Sequence, residues 1–131
     1  MVKTPHEPLD VLVVDDELLI RWSLNEALTQ EGHCVTEAAD RASTINELQR
    51  RAKPPDVVIL DYRLPDSKDL GLLAMVREMA PRAQVIIMTA FGGPEVTQGA
   101  MDLGAYRVVN KPFEVHDMSA LVEQAYADRH S

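Results

Sequence analysis

What this chain lacks narrows its chemistry before any motif is read. It holds one cysteine, Cys34, so no intrachain disulfide can form and nothing points to an oxidising compartment. No apolar run approaches the ~20 residues of a membrane-spanning helix. Residues Met1 to Pro8 carry Pro5 and Pro8 and no apolar stretch of the secretory-signal kind, so a cytoplasmic protein is expected. Basic residues are outnumbered, 13 Lys and Arg against 21 Asp and Glu, for a net charge of −8. Only Arg50, Arg51 and Lys53 cluster, so the basic stripe of a nucleic-acid-binding domain is missing and direct nucleic-acid binding is not expected. Gly92-Gly93 lacks the spacing of a P-loop or dinucleotide fingerprint and reads as a mobile loop. His6, His33, His116 and His130 have no metal-ligand spacing and are expected at the surface or in loops, and Cys34 is expected to pack within a strand.

What is present fits one globular domain. The chain has 131 residues, 46% hydrophobic and 26% charged, enough to bury a core without disulfides or a structural metal. Leu9-Asp10-Val11-Leu12-Val13-Val14, Val57-Val58-Ile59-Leu60 and Val85-Ile86-Ile87-Met88 are short, β-branched, nearly continuous apolar runs, the pattern of strands buried on both faces. Cys34–Ala38 and Tyr106–Asn110 are more polar and read as strands nearer the sheet edges. Helical periodicity fills the gaps. Ile20, Leu24, Ala27 and Leu28 share one face, with Gly32 placed to end the helix. Asp40 can cap a second helix whose core face is Ser43 or Thr44, Ile45 and Leu48, closed by Pro54-Pro55. Leu72, Leu73, Val76 and Met79 or Ala80 mark a third, stopped by Pro81. Pro94 opens a fourth, with Val96, Ala100 and Leu103 inward and Gly104 at its end, and Met118, Leu121, Val122 and Ala125 mark a fifth. Five strands alternating with five helices imply an α/β fold, a doubly wound parallel sheet with helices on both faces. The expected domain runs 9–127, between a flexible segment 1–8 and a tail 128–131 that reads as a truncation or the start of a linker.

In such a sheet ligands bind outside the carboxyl ends of the strands. Asp15-Asp16 follow the first strand, Asp61 the third, Thr89 the fourth and Lys111-Pro112 the fifth. Each has a bland reading: helix cap, turn start, strand-end hydroxyl, loop dipeptide. Together they form a set of distinct chemical types on one rim. Three carboxylates in one crevice repel, and either raised pKa values or a bound cation relieves this. Oxygen-only ligands favour a hard ion such as Mg²⁺, which keeps waters and accepts phosphate oxygens. Lys111 adds a charge suited to a phosphoryl group, Thr89 a hydroxyl donor, and a carboxylate can itself be the nucleophile, giving an aspartyl phosphate.

These segments, Val11 to Glu17, Val58 to Asp66, Val85 to Ala90 and Gly104 to Phe113, resemble a response-regulator receiver domain, the phosphoacceptor half of two-component signalling. The loop around Asp61 and the Gly104-Ala105-Tyr106 segment resemble receivers of nitrogen-regulation-type transcription activators. The resemblance implies a flavodoxin-like sheet of order 2-1-3-4-5. It implies Asp61 as the phosphorylation site and Mg²⁺ on Asp15, Asp16, Asp61 and the main-chain carbonyl of Arg63. It further implies Thr89 and Lys111 on phosphoryl oxygens and a cis Lys111-Pro112 bond. The expected partners are a histidine kinase or a histidine phosphotransfer protein, with a homodimer through the fourth helix, fifth strand and fifth helix, and no membrane. The expected output is transcriptional, in a longer regulator, and the chain is expected to be no enzyme beyond its own phosphorylation and dephosphorylation.

Two positions depart from the family pattern. Val108 stands where an aromatic residue usually precedes the lysine by three, and strand alternation puts Tyr106 on the same face. The loop Asp66-Ser67-Lys68-Asp69 lacks the usual glycine. Two other functions fit parts of the pattern. One is a phosphorylation-independent docking module, against which the complete set of site side chains argues. The other is an aspartate-nucleophile phosphatase, which needs a second acid where this chain has Arg63, a residue that stays protonated.

Overall fold

The computed structural model describes residues 8–129, so residues 1–7 and 130–131 of the expected ends lie outside the described residues. The elements alternate as read: β1 (Asp10–Val14), α1 (Leu18–Gln30), β2 (Cys34–Ala38), α2 (Arg41–Arg50), β3 (Val57–Asp61), α3 (Gly71–Met79), β4 (Gln84–Thr89), α4 (Pro94–Asp102), β5 (Arg107–Asn110) and α5 (Val115–Arg129). All strand pairs are parallel, in the order β2-β1-β3-β4-β5.

Alternation along the strands divides the core into two layers. Val11, Val13, Val57, Ile59, Ile86 and Met88 face Leu24 and Leu28 of α1 and Met118, Val122 and Ala125 of α5. Leu12, Val58, Leu60, Val85 and Ile87 face Leu72, Leu73 and Val76 of α3 and Ala100 of α4. The three central strands are buried on both sides, which is why their sequences are continuous apolar runs rather than alternating ones. Each such Leu, Ile or Val contributes about 1.5–3 kcal/mol by leaving water.

The helix ends obey local chemistry. Gly32 and Gly104 have φ of +91° and +96°, the left-handed conformation that closes α1 and α4. At both ends paired bonds complete the motif, His33 N–H to Leu28 O with Gly32 N–H to Thr29 O, and Ala105 N–H to Ala100 O with Gly104 N–H to Met101 O. Asp40 accepts the Ser43 N–H at 2.8 Å in a capping box, and Pro94 occupies the first turn of α4.

His33 lies in the loop between α1 and β2, as expected, and is buried there: its Nδ1 accepts the Leu9 N–H at 3.1 Å, so Nε2 carries the proton towards Glu123, 3.4 Å away. Three expectations need correction. Cys34 is exposed because β2 is an edge strand whose first residue faces solvent. Leu103 is 40% exposed, since it is the C-cap residue of α4 where the helical face has already turned away. Helix α5 continues through Asp128 to Arg129, whose guanidinium donates to Arg82 O at 2.6 Å and lies 3.6 Å from Asp56, so these two residues belong to the folded body rather than to a tail.

Candidate functional site

The carboxyl ends of β1, β3, β4 and β5 bring the anticipated residues to one cleft of about 160 Å³, lined by Asp16, Glu17, Asp61, Arg63, Thr89 and Lys111. Asp15 and Lys111 follow Val13 and Val109 by two residues, and Asp61 follows Ile59 by two, so strand alternation turns all three to the α1–α5 side. Parallel register sets their height, and the ladder runs on past the strands through Asp15 N–H to Ala38 O and Lys111 N–H to Thr89 O. The Lys111-Pro112 bond is cis, as the resemblance implied.

Asp15, Asp16 and Asp61 each offer a carboxylate oxygen within 4.8 Å of the others. Asp15 is fully buried, Asp61 is 7% exposed and Asp16 opens to solvent. Lys111 Nζ sits among them, 2.9 Å from Asp15 Oδ2 and 3.0 Å from Asp61 Oδ2. One ammonium thus pairs with two of the three acids. Burial, joined by the Asp61 charge, pushes the Asp15 carboxyl above its ordinary pKa, although Lys111 and the Glu17 N–H pull it down. Burial pulls the Lys111 ammonium down, but its contacts with Asp15 and Asp61 outweigh this and hold it above its ordinary value.

The donor set fits a hard cation. Asp15 Oδ1 accepts the Glu17 N–H at 2.8 Å, and Asp15 Oδ2, fully enclosed, has the Lys111 ammonium at 2.9 Å as its partner. Three carboxylates within 4.8 Å of one another, with one ammonium between two of them, leave net negative charge in the cleft, a costly feature where it is buried. A hydrated divalent ion supplies both the missing charge and water donors. Asp61 Oδ1 accepts the Arg63 N–H at 3.2 Å, which turns the loop after β3 back over the cleft.

Thr89 is 3% exposed, and its Oγ1 accepts the Phe91 N–H at 3.2 Å, leaving the hydroxyl proton to be donated elsewhere. Gly92 has a packing reason in addition to any mobility: a Cβ there would stand 2.5 Å from Asn110 Oδ1 and 2.7 Å from Thr89 Cγ2. Tyr106 does not take the place of the aromatic missing at Val108. Val108 packs in the α2–α4 layer, whereas Tyr106 packs in the α1–α5 layer and donates its hydroxyl to Asp128 of α5. Tyr106 stands one residue before β5, next to the α4 end at Gly104, and its side chain lies on the opposite face from that of Val108.

Sequence reasoning missed Glu17, whose Oε1 lies 3.2 Å from Lys111 Nζ at the cleft mouth. It also missed an apolar groove of about 530 Å³ that adjoins the cleft, between Leu19 and Ile20 of α1 and the Pro112–Val115 segment. Leu18, Leu19, Trp22 and Phe91 are exposed, at 67%, 77%, 59% and 83%, and of these Leu19 lines the groove. The i, i+1, i+4 spacing of the first three on α1 was the available signal.

Comparison with known proteins agrees with this geometry. The family model of the response regulator receiver domain matches residues 11–123. The DNA-binding transcriptional regulator NtrC of Proteus hauseri is 38% identical over 119 residues, covering 88% of this chain and 24% of its own length. Sporulation initiation phosphotransferase F of Bacillus subtilis is 31% identical, covering 87% of this chain and 90% of its own. Among solved structures, the receiver domain of NtrX from Brucella abortus superposes with a TM-score of 0.81 at 33% identity, covering 90% of this chain and 98% of that one. The chain therefore spans about a quarter of the length of the NtrC relatives it matches.

Proposed function

The chain belongs to the response-regulator receiver domain family, and we propose that it accepts a phosphoryl group on Asp61 in a Mg²⁺-dependent reaction and changes conformation to control an output domain. The observation that carries this reading is the convergence of the Asp15, Asp16 and Asp61 carboxylates within 4.8 Å of one another, with the one ammonium of Lys111 shared by Asp15 and Asp61. The set is too acidic to rest unfilled and too sparsely equipped for turnover. Arg63 stands where an aspartate-nucleophile phosphatase would need its acid, and it cannot give up a proton.

The chemistry asks little of the protein beyond placement and charge. A carboxylate oxygen of Asp61 forms the new P–O bond while the bond from phosphorus to the donor's leaving group breaks and takes its electron pair. Lys111 lies 3.0 Å from Asp61 Oδ2, within reach of a phosphoryl oxygen placed there. The Thr89 hydroxyl donates to a second oxygen from the neighbouring strand end. Asp15, Asp16, Asp61 and the Arg63 carbonyl would hold Mg²⁺, which neutralises charge on the transferring group.

The donor is a histidine kinase or histidine phosphotransfer protein, for which the apolar groove beside the cleft, with Leu19 exposed on it, offers a seat. The output is transcriptional, as in the NtrC relatives, and the protein works in the cytoplasm. No described helix is long and apolar enough to cross a membrane. A homodimer through α4, β5 and α5 is part of the same reading. A beryllofluoride-activated NtrC4 receiver domain dimer has the same fold, with a TM-score of 0.82 at 29% identity.

Intact-mass measurement after incubation with acetyl phosphate tests the proposal. A gain of one phosphoryl group is expected in wild type with Mg²⁺, and none without Mg²⁺ or in Asp61→Asn. Folded wild type that gains nothing with Mg²⁺ present would leave the docking-module reading in its place.

A further inference from the structure

Helix α2 does not supply all of its own capping. Asp40 serves the Ser43 N–H, but the two amides before it are taken by a residue from elsewhere in the chain. Asp66 Oδ1 accepts the Arg41 N–H at 2.7 Å, and Asp66 Oδ2 accepts the Ala42 N–H at 3.1 Å. Both oxygens of one carboxylate are thus fixed on the positive end of a helix dipole, an arrangement favourable in charge and in hydrogen bonding.

Asp66 sits in the turn that follows the phosphoacceptor. That turn is closed by reciprocal bonds, Leu64 N–H to Ser67 O at 2.7 Å and Ser67 N–H to Leu64 O at 3.2 Å. Leu64 is 2% exposed in the core. The Leu64 N–H and the Arg63 carbonyl belong to one planar peptide, so fixing the direction of the first fixes the direction of the second. On the other side, the Arg63 N–H is held by Asp61 Oδ1.

We infer that Asp66 is a positioning residue for the metal: by clamping the Leu64–Ser67 turn to the start of α2, it holds the Arg63–Leu64 peptide plane and so the Arg63 carbonyl oxygen beside the acidic cleft. This rests on the metal reading proposed above and extends it to a residue whose side chain does not line that cleft. Since α2 already has a complete capping box in Asp40 and Ser43, the second clamp constrains the loop more than the helix.

The test is a calorimetric Mg²⁺ titration of wild type, Asp66→Ala, Asp66→Asn and Asp40→Ala, with a thermal melt of each. The isosteric Asp66→Asn serves if the alanine variant folds poorly, since its amide nitrogen cannot accept the second N–H. Both Asp66 variants are expected to need about tenfold more Mg²⁺ for half-saturation, while Asp40→Ala melts lower yet stays within about twofold of wild type, as distinguishes orientation of a ligand from loss of a cap. Asp66 variants that bind Mg²⁺ like wild type, or an equal weakening in Asp40→Ala, would overturn the inference. Wild type that takes up no Mg²⁺ would instead remove the metal reading itself.

Discussion

The two ends of the central sheet carry similar residues in opposite balance. At the amino ends of β1 and β3, Asp56 Oδ2 accepts the Asp10 N–H at 2.8 Å, Asp10 pairs with Arg51, and Asp56 lies 3.6 Å from Arg129. Arg51 also reaches Glu47 at 3.3 Å. There each carboxylate has a guanidinium, and the acids tie strand, helix and chain end together. At the carboxyl ends Asp15 and Asp61 share the ammonium of Lys111, Glu17 competes for it, and Asp16 adds a third carboxylate within 4.8 Å of the other two. Acid that is matched builds the fold. Acid left in excess and partly buried holds a standing demand for positive charge, which a cation and a transferable group can meet.

Lys111→Ala breaks the contrast most sharply. Without the ammonium, buried Asp15 and Asp61 face each other unscreened. The Mg²⁺-free protein is expected to lose about 1–3 kcal/mol, less than a fully buried pair would because the cleft admits water. Mg²⁺ should restore most of that loss, as bound cation replaces missing cation, and thermal melts with and without Mg²⁺ measure it. A loss that Mg²⁺ does not touch would mean that Lys111 acts by packing alone.

The matching change at the other end is Asp56→Ala. It strips the Asp10 N–H of its acceptor and Arg129 of one carboxylate. About 1–2 kcal/mol of destabilisation is expected from the unsatisfied, partly buried amide. Here the same pair of melts should show no Mg²⁺ effect. A Mg²⁺-dependent rescue of Asp56→Ala would show the two ends to be coupled rather than independent.

Much of this was legible in the residues, for reasons that differ from element to element. The central strands announce themselves because burial on both faces demands unbroken apolar runs such as Val57-Val58-Ile59-Leu60. The site was legible because each of its polar residues comes just after such a run, and topology does the gathering. What stayed hidden depends on contacts distant in sequence. His33 looks like any loop histidine until Leu9, 24 residues away, gives it a backbone N–H. Asp66 looks like a turn aspartate until α2 arrives with two amides. Tyr106 was misplaced because alternation was extended one residue before β5 begins. Leu103 was misplaced because helical periodicity was carried into a C-cap.

The smallest change asks whether the acidic excess is a cost the apo fold bears. Burial first, and then Asp61, raise the Asp15 pKa above its ordinary value of 3.8. A carboxyl raised on folding binds its proton more tightly in the folded chain than in the unfolded one. Between the two pKa values the folded state therefore gains stability as pH falls, and above both the ionised group is a net penalty. Asp15→Asn, which keeps the shape and the acceptor for the Glu17 N–H, should then melt slightly higher than wild type at neutral pH without Mg²⁺. That advantage should shrink as pH is lowered through the shifted Asp15 value towards 3.8, where wild type takes up the proton and loses its penalty. The variant should also lose most of its thermal response to Mg²⁺. A variant that melts below wild type at neutral pH would mean that pairing with Lys111 outweighs burial. Asp15 would then belong with Asp10 and Asp56 among the matched acids, and the contrast between the two ends would rest on Asp16 and Asp61 alone.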